Sequence, residues 1–272
     1  MKRQANSAGF TIVETMVVLA VTGVLFATIA LTLSSRQQSN EFTQAIQDVR
    51  SQIQQTIANV QSGYYTSKGS YNCTDTGSSL SITGGSNQLG TNEACVFLGD
   101  VIQFNSDNMV IYPIAGRRTA DDLSSSSATP IVGADGTDES STYALKYGVT
   151  PVKMIYSDGG NAVSSGAFGV LSPAGENSSG TGAANLAIAV YGLGGGTAVS
   201  KLNDTPESAN VANIIKSLLG SNPVMNPSGG VQICFQSGTT KEYGLMTIGQ
   251  DNRQLNVHLD IMPTQGNTDC GI

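Results

Sequence analysis

The residue that most needs a chemical explanation is Glu14. It is the one charged side chain in the run of residues 10–33, FTIVETMVVLAVTGVLFATIALTL. An acidic side chain at the centre of a spanning helix costs on the order of 2.5–3.5 kcal/mol, so it needs a positive partner or a task. No Lys or Arg lies within the run. The bond between Gly9 and Phe10 offers a partner. If the chain is cut there, a new amine appears at Phe10, and the amine of one copy can pair with Glu14 of the next in a helix-packed array. That chemistry is processing and assembly, with no substrate turned over.

Other side chains invite chemistry and supply less of it. His258 is the single histidine. A Ser–His–Asp relay would have to use it with Asp260, two residues along the same strand and therefore beside it, and no G-x-S-x-G elbow is present. Gly194-Gly195-Gly196 has no Lys to make a phosphate loop and reads as a turn. Asp135, Asp138 and Glu139 put three carboxylates in a Gly-containing loop, hard oxygen ligands suited to Ca²⁺, though without EF-hand spacing. Apart from that loop no cofactor is implied, and the chain reads as a non-enzyme. The four cysteines, Cys73, Cys95, Cys234 and Cys270, form no C-x-x-C pair, and with one histidine a zinc site is not expected. An even count in an exported chain reads as two disulfides. Three connectivities are possible; pairing Cys73 with Cys95 and Cys234 with Cys270 closes the shortest loops and is the expectation.

The elements that hold Glu14 begin with a leader, residues 1–9, MKRQANSAG, whose Lys2 and Arg3 keep the N-terminus in the cytoplasm by the positive-inside rule. As a helix, residues 10–33 span about 36 Å, enough to cross a bilayer. The run exceeds a secretory h-region and no A-x-A site follows it, so it reads as an uncleaved anchor. Beyond Arg36 the pattern turns amphipathic. Phe42, Ile46, Val49, Ile53, Ile57 and Val60 recur at steps of three and four, with Gln, Asp and Arg between them. No Pro or Gly interrupts residues 34–62, and Gly63 is placed to stop the helix. One helix is therefore expected over residues 10–61, about 78 Å long.

Basic leader, Gly9, Phe10, Glu14 and the apolar run together resemble the class III signal of type IV pilins and pseudopilins. The resemblance implies cleavage after Gly9 by prepilin peptidase, N-methylation of Phe10, and Glu14 as the residue that guides assembly. It implies as partners other pilin subunits, an assembly ATPase and its platform membrane protein. It implies a single-pass protein of the cytoplasmic membrane that ends in a filament at the cell surface. A pseudopilin of a secretion or DNA-uptake system carries the same signal, and a membrane-tethered binding domain that never polymerises is the reading from another class. One departure is visible: where many pilins carry a proline two-thirds along the helix, this chain has Ala30-Leu31-Thr32, and Gly23 alone weakens the run. The Cys234 to Cys270 link resembles the C-terminal disulfide loop of many pilins.

The remainder, residues 63–272, is expected to be an extracellular β-rich head. Charged residues are 12% of the chain, Gly is abundant at 32 and Trp is absent, a β- and loop-rich composition. Net charge is −7, which disfavours direct contact with nucleic acid. Strand-like runs lie at 95–98, 101–104, 109–114, 143–149, 152–156, 167–171, 186–191, 231–235, 243–248 and 255–261. Residues 63–94 read as a polar connector, and 121–139 and 173–183 as long loops. One helix is expected at 206–219, capped by Thr205 and ended by Gly220, with Val211, Ile214, Ile215, Leu218 and Leu219 buried. The expected fold class is α+β: a long N-terminal spine helix, half transmembrane (10–33) and half amphipathic (34–62), packed on an antiparallel sheet.

Overall fold

A computed structural model describes residues 11–63, 71–76, 80–85, 95–105, 107–117, 128–131, 140–158, 161–171, 188–193, 224–240, 242–249 and 255–262. The fold is α+β, with one long helix ahead of antiparallel sheets. Two compact units are present, Met1–Glu41 and Phe42–Ile272. The helix α1 (Ile12–Ser62) contributes to both. It runs unbroken because residues 12–62 contain no proline and one glycine, Gly23. It stops at Gly63, which takes the left-handed conformation (φ 65°) and donates its N–H to Val60 O at 3.1 Å.

Within the second unit the described strands are β1 (Tyr71–Asp75), β2 (Leu80–Gly84), β3 (Cys95–Phe104), β4 (Asn108–Arg117), β5 (Ala128–Pro130), β6 (Ser141–Ala144), β7 (Thr150–Asp158), β8 (Asn161–Ser164), β9 (Ala167–Leu171), β10 (Ala189–Leu193), β11 (Val224–Met225), β12 (Val231–Gln236), β13 (Tyr243–Ile248) and β14 (Val257–Met262). They form three antiparallel sheets. The largest runs β11-β10-β9-β3-β4-β5, with β6 also on β4; the second runs β14-β13-β12-β7-β8; β1 and β2 make a hairpin.

The apolar stripe of α1 explains the core. Phe42, Ile46, Val49, Ile53, Ile57 and Val60 are all buried and share one cluster with the inner faces of both large sheets. Phe104 of β3 meets Phe235 of β12 edge to face, centroids 5.5 Å apart, and joins the sheets. Close approach is possible because of two glycines. A Cβ on Gly244 of β13 would collide with the Cδ1 of Ile46, and one on Gly192 of β10 would lie 2.5 Å from the Tyr156 ring. The outer face of the seven-stranded sheet is apolar as well. Val101, Tyr112, Ile114, Leu171 and Leu193 belong to a second buried cluster drawn from that sheet alone among the described residues. Strands buried on both faces read as continuous apolar runs, and β9 and β10 are buried at every residue.

Five expectations differ from the fold. The runs at 95–98 and 101–104 are one strand, β3, with a bulge at Gly99 (φ 137°), where a Cβ would strike Val170 O of β9. The run at 143–149 is strand only to Ala144. Tyr147 (φ 55°) and Gly148 (φ 67°) then form a tight turn of the mirror-image type, closed by Val149 N–H to Lys146 O at 3.2 Å. The connector at 63–94 contains the β1–β2 hairpin, whose Tyr71, Leu80 and Ile82 are buried. The long loop at 121–139 contains β5. The run at 255–261 is strand only from Val257 onward, and among the described strands it lies at a sheet edge, with Ile261 39% exposed. The helix expected at 206–219 lies outside the described residues.

Candidate functional site

The site is the N-terminal run. Thr11 stands just outside α1 and caps it. Its Oγ1 accepts the Glu14 N–H at 3.3 Å, and its carbonyl accepts the Thr15 N–H at 3.2 Å. Thr11 followed three residues later by Glu14 is the spacing of a capping box. The carboxylate thereby occupies the first turn, where the positive end of the helix dipole favours an anion by about 0.3–1 kcal/mol at an exposed site. Sequence reasoning took Glu14 as an intruder in an apolar run and missed Thr11; the T-x-x-E spacing ahead of an apolar stretch was the available signal.

After this cap α1 is apolar all round. Residues Ile12–Ala30 are long and apolar enough to cross a membrane and are nowhere buried by the rest of the chain. Nineteen residues rise about 29 Å, close to the hydrocarbon thickness of a bilayer. Its large side chains stand 54–78% exposed, Phe26 and Ile12 the most. The hydroxyls within it are satisfied inside the helix. Thr15 donates to Ile12 O, Thr22 to Val18 O and Thr28 to Leu25 O, each at 2.8 Å. Such back-bonds suit an apolar surrounding, where an unmet donor is costly. Gly23 has nothing within 4 Å of where a Cβ would sit. Contacts within the chain therefore give no reason for glycine there. The arrangement offers an apolar cylinder and one carboxylate in its first turn: it can insert, pack and pair.

Gly9, Phe10, Asp135, Asp138 and Glu139 lie outside the described residues. Among the described residues, no group of three or more His, Cys, Asp or Glu could hold a metal ion. His258 Nε2 lies 3.2 Å from Asp260 Oδ2 on the edge strand β14, and both side chains are more than half exposed. The two make a side-by-side surface pair. Cys73 and Cys234 are not free thiols; Cys270 and the side chain of Cys95 lie outside the described residues.

Against known protein families, residues 4–30 match the model of the prokaryotic N-terminal methylation motif, the class III signal of type IV pilins and pseudopilins. No curated protein and no solved structure matches the chain. The chain therefore carries a pilin-type signal, which marks a structural class of protein and implies prepilin peptidase and pilin subunits in general as partners. The head lies beyond the matched residues.

Proposed function

We propose that the chain is the structural subunit of a type IV pilus-like surface filament. It enters the cytoplasmic membrane through residues 10–33 with its N-terminus inside, is cut after Gly9, is methylated at Phe10 and polymerises through its apolar helix. Glu14 guides docking by pairing with the Phe10 amine of a neighbouring subunit. The observation that carries this reading is a membrane-length apolar helix, wholly unburied by its own chain, with a single carboxylate in its capped first turn. The methylation motif over residues 4–30 supports it. The assembly ATPase and its platform protein are partners on the same reading.

The same reading makes the head an exported domain with two disulfides. Support for Cys73 with Cys95 comes from the strand ends around them. Cys95 is the register partner of Arg117, and Arg117 Nη2 lies 2.8 Å from Asp75 Oδ1, two residues beyond Cys73 on β1. Cys234 is fully buried on β12 and is assigned to Cys270.

The test is intact-mass analysis of sheared surface filaments. A mature chain beginning at N-methylated Phe10 is expected. Recovery of Met1-containing chain in the membrane fraction, with none in filaments, would leave the protein a tethered domain.

A further inference from the structure

Leu98-Gly99-Asp100-Val101 resembles a turn signal, yet Gly99 and Asp100 lie within β3. Asp100 is 9% exposed. Strand alternation past the Gly99 bulge puts it on the face of Ile102 and Phe104, the face turned to the main core. Its register partners are Pro113 of β4 and Val170 of β9, neither of which can donate a hydrogen bond from its side chain. Among the described residues its carboxylate has no ion pair and no hydrogen bond.

Among the described residues no charged group of the surrounding elements forms an ion pair with Asp100. The strands β9, β10 and β12 carry none. Arg117 of β4 is held by Asp75. On α1, Asp48 is held by Lys146 at 2.8 Å, and Arg50 makes no ion pair with Asp100. Lys153 and the titratable Tyr156 lie on β7, and Tyr243 lies on β13. His258 and Asp260 of β14 bind each other. None offsets the loss of water around Asp100, and burial raises its pKa from 3.8 to about 7.

We propose that Asp100 makes the head a proton-linked fold: the core-facing side of β3 tolerates its unpartnered carboxyl in the protonated form, and ionisation loosens the sheet at the Gly99 bulge. The sign follows from linkage. The folded state binds this proton more tightly than the unfolded chain, so the stabilisation is complete below about pH 4. It declines as pH rises towards 7 and is gone once the folded-state pKa is passed. A cell-surface head built this way tightens on acidification and relaxes in neutral or alkaline surroundings, independently of how the N-terminal helix assembles.

The experiment is thermal unfolding of the full chain in detergent from pH 4 to pH 8.5, wild type beside Asp100→Asn. The Tm advantage of the Asn variant is expected to be near zero at pH 4, to grow through pH 7 and to level off at roughly 5–10 °C. Parallel Tm profiles, or a variant less stable than wild type at pH 8, overturn the proposal. Amide exchange in the wild type gives a second readout that needs no variant. Protection of residues 100–103, relative to residues 232–235 of β12, should fall between pH 5 and pH 8 after correction for intrinsic rates. A constant ratio overturns the proposal as well.

Discussion

The two halves of α1 use apolar residues in opposite ways. From Ile12 to Ala30 the large side chains are apolar around the whole circumference and stand more than half exposed. From Phe42 to Val60 they are confined to one stripe and are at most 6% exposed. Fully burying a Val, Leu, Ile, Phe or Met side chain stabilises by about 1.5–3 kcal/mol. The first half thus leaves on the order of 10–20 kcal/mol of transfer free energy unrealised within its own chain. A stripe is what a helix needs when its own chain covers one side. An all-round apolar surface is what it needs when the cover comes from lipid or from other copies. The difference separates, on a single helix, the part that serves assembly from the part that serves folding.

The sharpest way to break that comparison is at Glu14. Glu14→Ala is expected to reduce surface filaments to background while membrane-inserted precursor accumulates. Insertion itself should not suffer, because removing an acidic side chain from a spanning run relieves up to about 2.5–3.5 kcal/mol. The melting of the head should not move. The measurements are filament yield by shearing, membrane fractionation and a thermal scan of the detergent-solubilised chain. Normal filament yield from Glu14→Ala would assign the carboxylate to helix capping alone.

Next in size is the buried stripe. Ile53 is fully buried in the main core, and Ile53→Ala is expected to cost about 2–5 kcal/mol. That lowers the Tm of the head by roughly 4–15 °C. Leu25→Ala, at a position 56% exposed within the chain, should leave that Tm unchanged. Equal effects of the two would mean that the halves are not energetically distinct.

Both halves of the helix were legible from residue order, because each announces itself by a period: no polar break in the first, steps of three and four in the second. The strand at 167–171, buried at every residue, was also legible, because AFGVL is a continuous apolar run. Misreadings cluster where a local signal was overruled by tertiary contact. Gly99-Asp100 looks like a turn, yet Gly99 lets Val170 O approach and Asp100 is carried into the core. Tyr147 looks like a strand residue, yet it occupies a left-handed turn. The β1–β2 hairpin hid among Asn, Thr and Ser because it buries so few side chains, chiefly Tyr71, Leu80 and Ile82. At the N-terminus the spacing of Gly9, Phe10 and Glu14 points to assembly chemistry, whereas the cap at Thr11 is obscured because its T-x-x-E spacing is embedded in the apolar run.

The smallest effect expected is at the polar fastening of the second half. Lys146 Nζ lies 2.8 Å from Asp48 Oδ2 on α1, and both side chains are well exposed. The hydrogen bond and charge of Asp48 raise the lysine pKa above its ordinary value. A base whose pKa is raised on folding contributes its stabilisation below the unfolded value and loses it as pH rises through the folded one, so the contribution is intact at neutrality and fades only in strong alkali. Exposed pairs of this kind are screened by water and salt. Lys146→Met is therefore expected to lower the Tm by no more than about 1–2 °C at low salt and by less in 1 M NaCl. A drop as large as that of Ile53→Ala would show that the second half is held by charge more than by its apolar stripe, and the contrast between the two halves would then rest on polarity instead of cover.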